Sequence, residues 1–477
     1  MRPKTSSGCA TRKLISYAYE NRTTAMTARV AFNKVVLPTI VATVAKMTEN
    51  KKTAQEIRSN ALKMADAALT KKNFIDTIKS NMAKFTFKCC QNFLGSHQKK
   101  QPAMSAAAPY VQGCYIANWA VYNAPLHKFT PAKIPIGLCT HIFYAFAAVN
   151  VTTFEATSSD NNADVTLGNF DALNNLKKQQ SGLKTILSFG GWGESQTGIY
   201  SVLASDPAKI ATFVKSAWAM ADEYGFDGID VDWEYPEAND RFNYIHLLKM
   251  SRCSSGGKLL TAAVPGSDNL IGYNTLEMDE YLDLFNIMTY DFYGDDDPEV
   301  QHHAAYSETI HSLQLWNLRG ASKSKLLMGI PAYGVGWTAD VCALGAPASG
   351  PADPYNDEAA YYDLVAMTGQ VIDTPEGPLR QTTIKGKKKC YGFDNPECVS
   401  KKMAFITSQG YAGAFTWSVD MDDAAFDIHY AIKQGLPNGA QSTNIYQPAK
   451  CVDGEIRPNT KINSFDLCVN GEWARRL

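Results

Sequence analysis

The strongest signal along this chain is an alternation of short apolar runs with stretches of helical period. The runs are Val111–Ala117, His141–Ala147, Leu183–Phe189, Phe226–Asp232, Leu259–Val264, Leu284–Tyr290, Lys325–Ile330 and Tyr411–Trp417. Each has the length and apolar character of a buried strand. Between them Ile210, Phe213, Val214, Ala217, Trp218 and Ala221 recur at helical spacing, as do parts of 168–180, 306–319 and 395–408. Strand–helix alternation repeated in this way predicts an α/β fold, a (β/α)8 barrel. Right-handed parallel crossovers would gather the strand C-termini at one mouth. Two spacings are unusual. Pro236 to Leu259 leaves a fourth helix only about three or four turns. Tyr333–Pro396, between the seventh and eighth runs, is too long for a plain loop.

The fourth run carries the candidate chemistry. It reads F-D-G-I-D-V-D-W-E-Y-P from Phe226 to Pro236 and packs Asp227, Asp230, Asp232 and Glu234 among Ile229, Val231 and Trp233. Side chains on a strand alternate faces, so Asp230, Asp232 and Glu234 share one face at steps of roughly 6.6 Å. Ile229, Val231 and Trp233 take the other face, and Asp227 is out of step. Carboxyls buried in a row cannot all ionise cheaply, so one stays protonated near neutral pH, as a general acid requires. The plain alternatives are an exposed acidic edge strand or a calcium loop. The loop would need a central Gly and a distal Glu that are absent here, and an edge strand would not need Trp and two aliphatics between the acids. Glu234 follows the fourth run directly, which places it at the catalytic mouth of a barrel.

Composition changes the picture only at the N-terminus. With 45% hydrophobic and 19% charged residues, the 477-residue chain reads as a soluble globular protein with appendages. The net charge of −1 hides a split: the first hundred residues carry 19 Lys and Arg against 5 Asp and Glu, and the remainder 27 against 42. Residues 1–103 therefore read as a basic, partly helical extension, 104–110 as a linker, and the acidic body argues against nucleic acid as a partner. The first nineteen residues carry Arg2, Lys4, Arg12 and Lys13 and no acid, a transit-peptide-like pattern. Val35 to Ala45 is too short to span a membrane but has the length of a signal core, with Met26, Arg29 and Lys34 ahead of it. No signal peptide is evident at residue 1. From Gln55 to Phe85 apolar residues fall three or four apart, an amphipathic helix with a basic face. It reads as a membrane-surface helix, a solvated helix, or sequence wrongly joined to the rest.

The eleven cysteines are an odd number, so at least one does not pair within the chain. Cys342, Cys390 and Cys398 are possible partners for one another, Cys451 and Cys468 could pair, and Cys9, Cys89 and Cys90 read as free thiols. The histidines show no metal-ligand spacing, and adjacent His302-His303 suits no common zinc geometry. No metal or cofactor is implied. Asn150-Val151-Thr152 is a glycosylation sequon, available only to a secreted protein.

The stretch 226–236 resembles the D-x-x-D-x-D-x-E signature of family-18 glycoside hydrolases, the chitinases and their lectin-like relatives. Ser188-Phe189-Gly190-Gly191-Trp192 resembles that family's S-x-G-G strand end, and Met288-Thr289-Tyr290-Asp291 its sixth-strand terminus. The resemblance covers about Val111 to Asp422. It implies a barrel over 111–436 with a small α+β unit inserted at 334–395. It implies Glu234 as proton donor, Asp232 as the carboxylate that orients the substrate's acetamido group, Asp230 and Asp227 as supporting acids, and Tyr290 as hydrogen-bond donor to the acetamido carbonyl. Asp291, Met288 and Gly191 would line the same subsite. Trp417 would be the floor under the sugar, with Tyr115, Trp119, Trp192 and Tyr333 as further aromatic platforms. It also suggests a Cys114–Cys139 disulfide. The implied partners are chitin and N-acetylglucosamine oligomers, with no nucleic acid and no membrane span, acted on by a secreted monomer.

The sequence departs from the family pattern at Val335, where Arg is frequent, at the Gly294–Pro298 loop, where Trp is frequent, and at Gly193, where Asn is frequent. After a linker at 437–450, residues 451–477 resemble the first half of a peritrophin-type chitin-binding module, an incomplete one. The expected activity is endo-acting hydrolysis of chitin with substrate assistance. A chitin-binding lectin with a dead site and an enzyme on N-glycan cores are the alternatives.

Overall fold

The computed structural model describes residues 110–353 and 358–436, and the backbone of three strands further on. The expected extension 1–103, the linker at 437–450 and the Cys451–Cys468 pairing lie outside the described residues. Eight parallel strands close on themselves: β1 Val111–Ala117, β2 His141–Val149, β3 Lys184–Gly190, β4 Gly228–Asp232, β5 Leu259–Pro265, β6 Leu284–Met288, β7 Leu326–Pro331 and β8 Gly413–Trp417. Neighbours pair in sequence order and β1 pairs with both β2 and β8, so the barrel has no free edge. This is the (β/α)8 architecture expected from the alternation of runs. The predicted boundaries hold to within two residues. The sixth strand ends at Met288, because the Thr289 amide turns back onto the carbonyl of Ile287, and this leaves Tyr290 and Asp291 free of the ladder at the mouth.

Alternation along the strands produces two apolar layers. Ile229 and Val231 of β4 join Leu187, Phe189, Leu260, Ile287 and Met328 in a layer covered by helices. The helix Pro207–Tyr224 supplies part of that cover through Ile210, Phe213, Val214, Ala217, Trp218 and Ala221, all buried. Asp206 caps its start by accepting the Ala208 N–H, Pro207 fits its first position, and Gly225 ends it in the left-handed region. The helix after β4, Arg241–Ser254, has 14 residues, about four turns, so the short spacing still houses a full barrel helix. The inner layer packs Tyr115, Phe143, Ile186 and Phe415 inside the barrel.

The long spacing after β7 holds an α+β unit. Its antiparallel sheet runs Glu358–Ala360, Tyr333–Thr338, Lys387–Phe393, Leu379–Ile384, Gln370–Ile372, with the helix Tyr361–Ala366 beside it. Val335, Trp337 and Leu379 of this unit continue the barrel's inner apolar cluster, so the insertion is seated on the barrel rather than tethered to it. Disulfides join Cys114 to Cys139 and Cys342 to Cys390. Cys398, a possible partner by sequence, is instead buried with its thiol on the Asp394 carboxylate at 3.2 Å. The segment 456–476 forms a three-stranded antiparallel sheet of Ile456–Pro458, Phe465–Val469 and Glu472–Arg476. Among the described residues no helix is long and apolar enough to cross a membrane.

Candidate active site

The strand C-termini open into a cleft of about 1010 Å³ whose floor is the end of β4. Asp230 lies lowest, fully buried among the barrel's inward polar side chains. Its Oδ2 accepts from the hydroxyls of Tyr115 at 2.8 Å and Ser188 at 2.7 Å, and its Oδ1 from Thr261 at 2.5 Å. Asn286 in turn donates to the Tyr115 hydroxyl oxygen at 2.7 Å. Burial pushes the Asp230 carboxyl up and the three hydroxyl donors pull it back, leaving a net rise. Asp232, two residues on, is also buried, and its Oδ1 has no hydrogen-bond partner. Burial first, and then the nearby Glu234 and Asp230 carboxyls, drive it well above the usual carboxylate range.

Glu234 stands one step nearer the mouth, partly open to the cleft. Its carboxyl is pushed up to about 7, by burial above all; a bond from Tyr235 opposes this and the charge of Asp291 adds to it. The backbone beneath it is fixed. Ser195 Oγ accepts the Glu234 N–H at 2.9 Å, Gln196 donates to the Glu234 carbonyl at 3.0 Å, and the Gly191 N–H reaches the Asp232 carbonyl at 2.9 Å. The paired glycines of β3 make that approach possible. A Cβ on Gly190 would lie 2.0 Å from the Asp232 carbonyl oxygen, and one on Gly191 2.5 Å from the Phe146 ring, and both residues have positive φ. Trp233, facing away, packs between Tyr200 and Tyr244 in the outer layer.

The remaining wall comes from β6, β7 and β8. Tyr290 is buried against Tyr333 and Phe415 and lines the cleft with Met288. Asp291, with φ of 55°, is held by the Tyr333 hydroxyl at 2.7 Å and lies 3.1 Å from His303 Nδ1. Trp417 stacks on Phe146 at 5.6 Å and leans on Tyr115 and Trp119. Trp119 and Trp192 turn open ring faces to solvent, 46% and 62% exposed. Large exposed indoles flanking a groove with carboxyls at its base are suited to pyranose rings, which offer C–H faces.

Three sequence expectations change. Asp227 is not in the cleft. It precedes β4 and so emerges at the opposite end of the barrel, where it accepts from the Thr185 N–H at 2.9 Å and Lys177 Nζ at 3.0 Å. Tyr115 and Tyr333 line the cleft but are only 1% exposed, so neither offers a ring face for stacking; their hydroxyls hold Asp230 and Asp291 instead. The other predicted residues, Asp232, Glu234, Tyr290, Asp291, Met288, Gly191, Trp119, Trp192 and Trp417, line this one mouth, with Asp230 buried beneath them.

Ser188, Thr261, Asn286, Ser195, Asp420 and His303 were not predicted as site residues. Ser188, Thr261 and Asn286 had a usable signal, as lone polar residues at inward positions of apolar strands. Asp420, which accepts the Ala117 N–H at 3.2 Å beside the cleft, had none.

Comparison with known proteins agrees with this geometry. Residues 112–422 match the family model described as glycosyl hydrolases family 18. An endochitinase of Brugia malayi is 34% identical over 349 residues, 66% of this chain and 69% of that protein. The solved catalytic domain 2 of the Ostrinia furnacalis Group II chitinase superposes with a TM-score of 0.65 at 28% identity, covering 69% of this chain and 96% of that one. Human YKL-39, described as a pseudo-chitinase with retained chitooligosaccharide binding, superposes at 0.62 with 26% identity, covering 69% of this chain and 99% of that one. A closed barrel with an acid pair at the mouth of its fourth strand defines the class as a barrel glycosidase. The chain belongs to glycosyl hydrolases family 18.

The relocation of Asp227 is testable. Burial raises its carboxyl, but the Thr185 N–H and Lys177 outweigh that and hold it below the usual range. A depressed folded-state value adds stability above pH about 4 that disappears as pH falls through the folded value. Asp227→Asn should therefore lower stability at pH 7 by about 1 kcal/mol, discounted for partial exposure. Thermal melts should show a deficit that shrinks under acid, while kcat and KM stay unchanged. A selective rise in KM would return Asp227 to the substrate site.

Proposed function

We propose that this chain is an endo-acting chitinase that hydrolyses β-1,4 bonds between N-acetylglucosamine units, with the substrate's own acetamido group as nucleophile. The observation that carries this reading is the pair at the end of β4: Glu234, an acid poised near neutrality, beside Asp232, a buried carboxyl with one oxygen unfilled. Family 18 is among the glycosidases that replace the carboxylate nucleophile by substrate assistance. Glu234 donates its proton to the leaving glycosidic oxygen as that bond breaks. The acetamido oxygen attacks the anomeric carbon and forms a cyclic oxazolinium. Asp232 accepts the acetamido N–H at the vacant oxygen, and the Tyr290 hydroxyl orients the acetamido oxygen. Glu234, now a carboxylate, takes a proton from the incoming water, which opens the ring with net retention. Trp417 supports the sugar from below, with Trp119 and Trp192 extending the aromatic wall.

A lectin without turnover is the second reading, motivated by the structural likeness to YKL-39. The presence of Glu234, in an environment that tunes it as an acid, favours the enzyme. Two disulfides in the barrel unit and an exposed sequon at Asn150 support an extracellular protein. The cleft is complete within one chain, which supports a monomer as the working unit. Residues 451–477 are read as a chitin-binding-like segment.

Two outcomes test the mechanism. Proton NMR of the first products from chitin oligomers should show the β-anomer, whereas early α-anomer would rule out substrate assistance. The second concerns pH. Glu234 donates only while protonated, so kcat/KM should fall as pH rises through about 7, tenfold per unit once well above it. A flat profile from pH 6 to 9 would remove Glu234 as the acid.

A further inference from the structure

The mouth of the barrel contains a hydrogen-bonding problem that the mechanism above does not use. His303 is fully buried beneath Asp291, and both of its ring nitrogens are engaged. Nε2 lies 3.2 Å from the carbonyl oxygen of Tyr333. A carbonyl only accepts, so Nε2 carries a proton. Nδ1 lies 3.1 Å from Asp291 Oδ1, and that oxygen already accepts the Tyr333 hydroxyl at 2.7 Å. In a neutral ring with Nε2 protonated, Nδ1 is a bare lone pair facing a carboxylate lone pair in a buried site, which is repulsive. The Asp291 N–H also points at Nδ1, but at 3.5 Å it is too long to account for the closer contact. A proton must lie between Nδ1 and Oδ1.

We propose that His303 is a positioning residue of the catalytic site. It holds one proton against the Asp291 carboxylate and so fixes both the seat of Asp291 and the charge beside Glu234. This rests on Glu234 being the acid. Asp291 is half-exposed to the cleft, and its negative charge is one of the influences that raise Glu234. A protonated His303 directly behind Asp291 cancels part of that charge. The pair therefore sets how strongly Asp291 holds the proton on Glu234.

The other groups around His303 leave this role to it alone. The His302 ring, 6.1 Å away, donates to or accepts from its own neighbours, its Nε2 meeting the Phe393 carbonyl at 2.9 Å, and burial lowers it to about 4. Behind His302, Lys402 is spent on Asp394 at 2.6 Å and on the Ala304 carbonyl at 2.8 Å. Tyr333, whose ring is 4.8 Å away, gives its hydroxyl to Asp291. Tyr290, next to Asp291 in the chain, packs edge-on against Tyr333 with its ring centre 6.1 Å away.

The experiment has one readout that needs no activity. Full-length protein labelled with ¹⁵N at histidine should give, at pH 7, the signal of a doubly protonated ring that disappears in Asp291→Asn, His303 being the histidine in contact with Asp291. A His303 ring that is neutral in the wild-type protein overturns the proposal whatever the enzyme does. The second readout is the alkaline limb of kcat/KM. His303→Asn keeps an N–H able to reach Asp291 but removes the charge, so the limb should move up by about 0.5–1 pH unit. In an Asp291→Asn background the same substitution should move it no further. A folded His303→Asn variant whose activity is only scaled, with the limb in place, would make His303 a packing residue. Should that variant not fold, the labelled wild type and Asp291→Asn still decide the question.

Discussion

The structure turns on three carboxyls on one face of one strand. Residues 230, 232 and 234 share a parity, and in a closed barrel that face points inward, with Asp230 and Asp232 buried and Glu234 partly open to the cleft. Each acid must be answered there by a donor, a proton or a ligand. Asp230 is answered by three hydroxyls: Ser188 and Thr261 from the strands that flank β4 on either side, and Tyr115 from β1, which reaches it across the closed barrel. Asp232 keeps a buried oxygen with no donor against it. Glu234, at the rim, keeps a proton near neutrality. The acidity of the site is thus a property of the whole barrel: loosening any strand that supplies a hydroxyl to Asp230 would redistribute charge up the row.

A second layer of support comes from outside the barrel proper. The insertion after β7 contributes Tyr333 from its first strand, and the loop after β6 contributes Asp291 and His303. These three interlock through 2.7–3.2 Å contacts. The apolar cluster inside the barrel runs on into the insertion's sheet, so the wall that carries Tyr333 is as firmly placed as the floor. Aromatic residues divide accordingly. Tyr115 and Tyr333 are buried and work through their hydroxyls, whereas Trp119, Trp192 and Trp417 present ring surface to the groove.

Much of this could be read from the sequence because periodicity and parity are local properties. The eight runs, the acid row of β4, the glycine pair of β3 and the excess length after Tyr333 each announce a structural consequence without tertiary information. What escaped needed three-dimensional neighbours. Asp227 looks like one more acid in the motif, and only its position ahead of the strand's first residue sends it to the far end of the barrel. Tyr115 and Tyr333 look like platforms until their burial is known. Adjacent His302 and His303 suit no metal geometry and carry no role in the sequence, although one of them lies against Asp291. Thr261 and Asn286 were legible in principle, since a single polar residue inside an apolar strand must face a partner.

The central claim is that Glu234 supplies the proton while its neighbours hold the sugar. The most direct measurement is turnover and oligosaccharide affinity on the same preparation of Glu234→Gln. The amide preserves size and most hydrogen bonding but has no proton to give. The account predicts a fall in kcat of at least 10²–10⁴-fold, the range typical of general acid–base help, with affinity for N-acetylglucosamine oligomers retained through Trp417, Tyr290 and Asp232. Turnover surviving within a few-fold of wild type would contradict the assignment of Glu234 as the acid. Loss of affinity together with turnover, in a protein that still folds, would make Glu234 a binding residue and contradict the division of labour along β4.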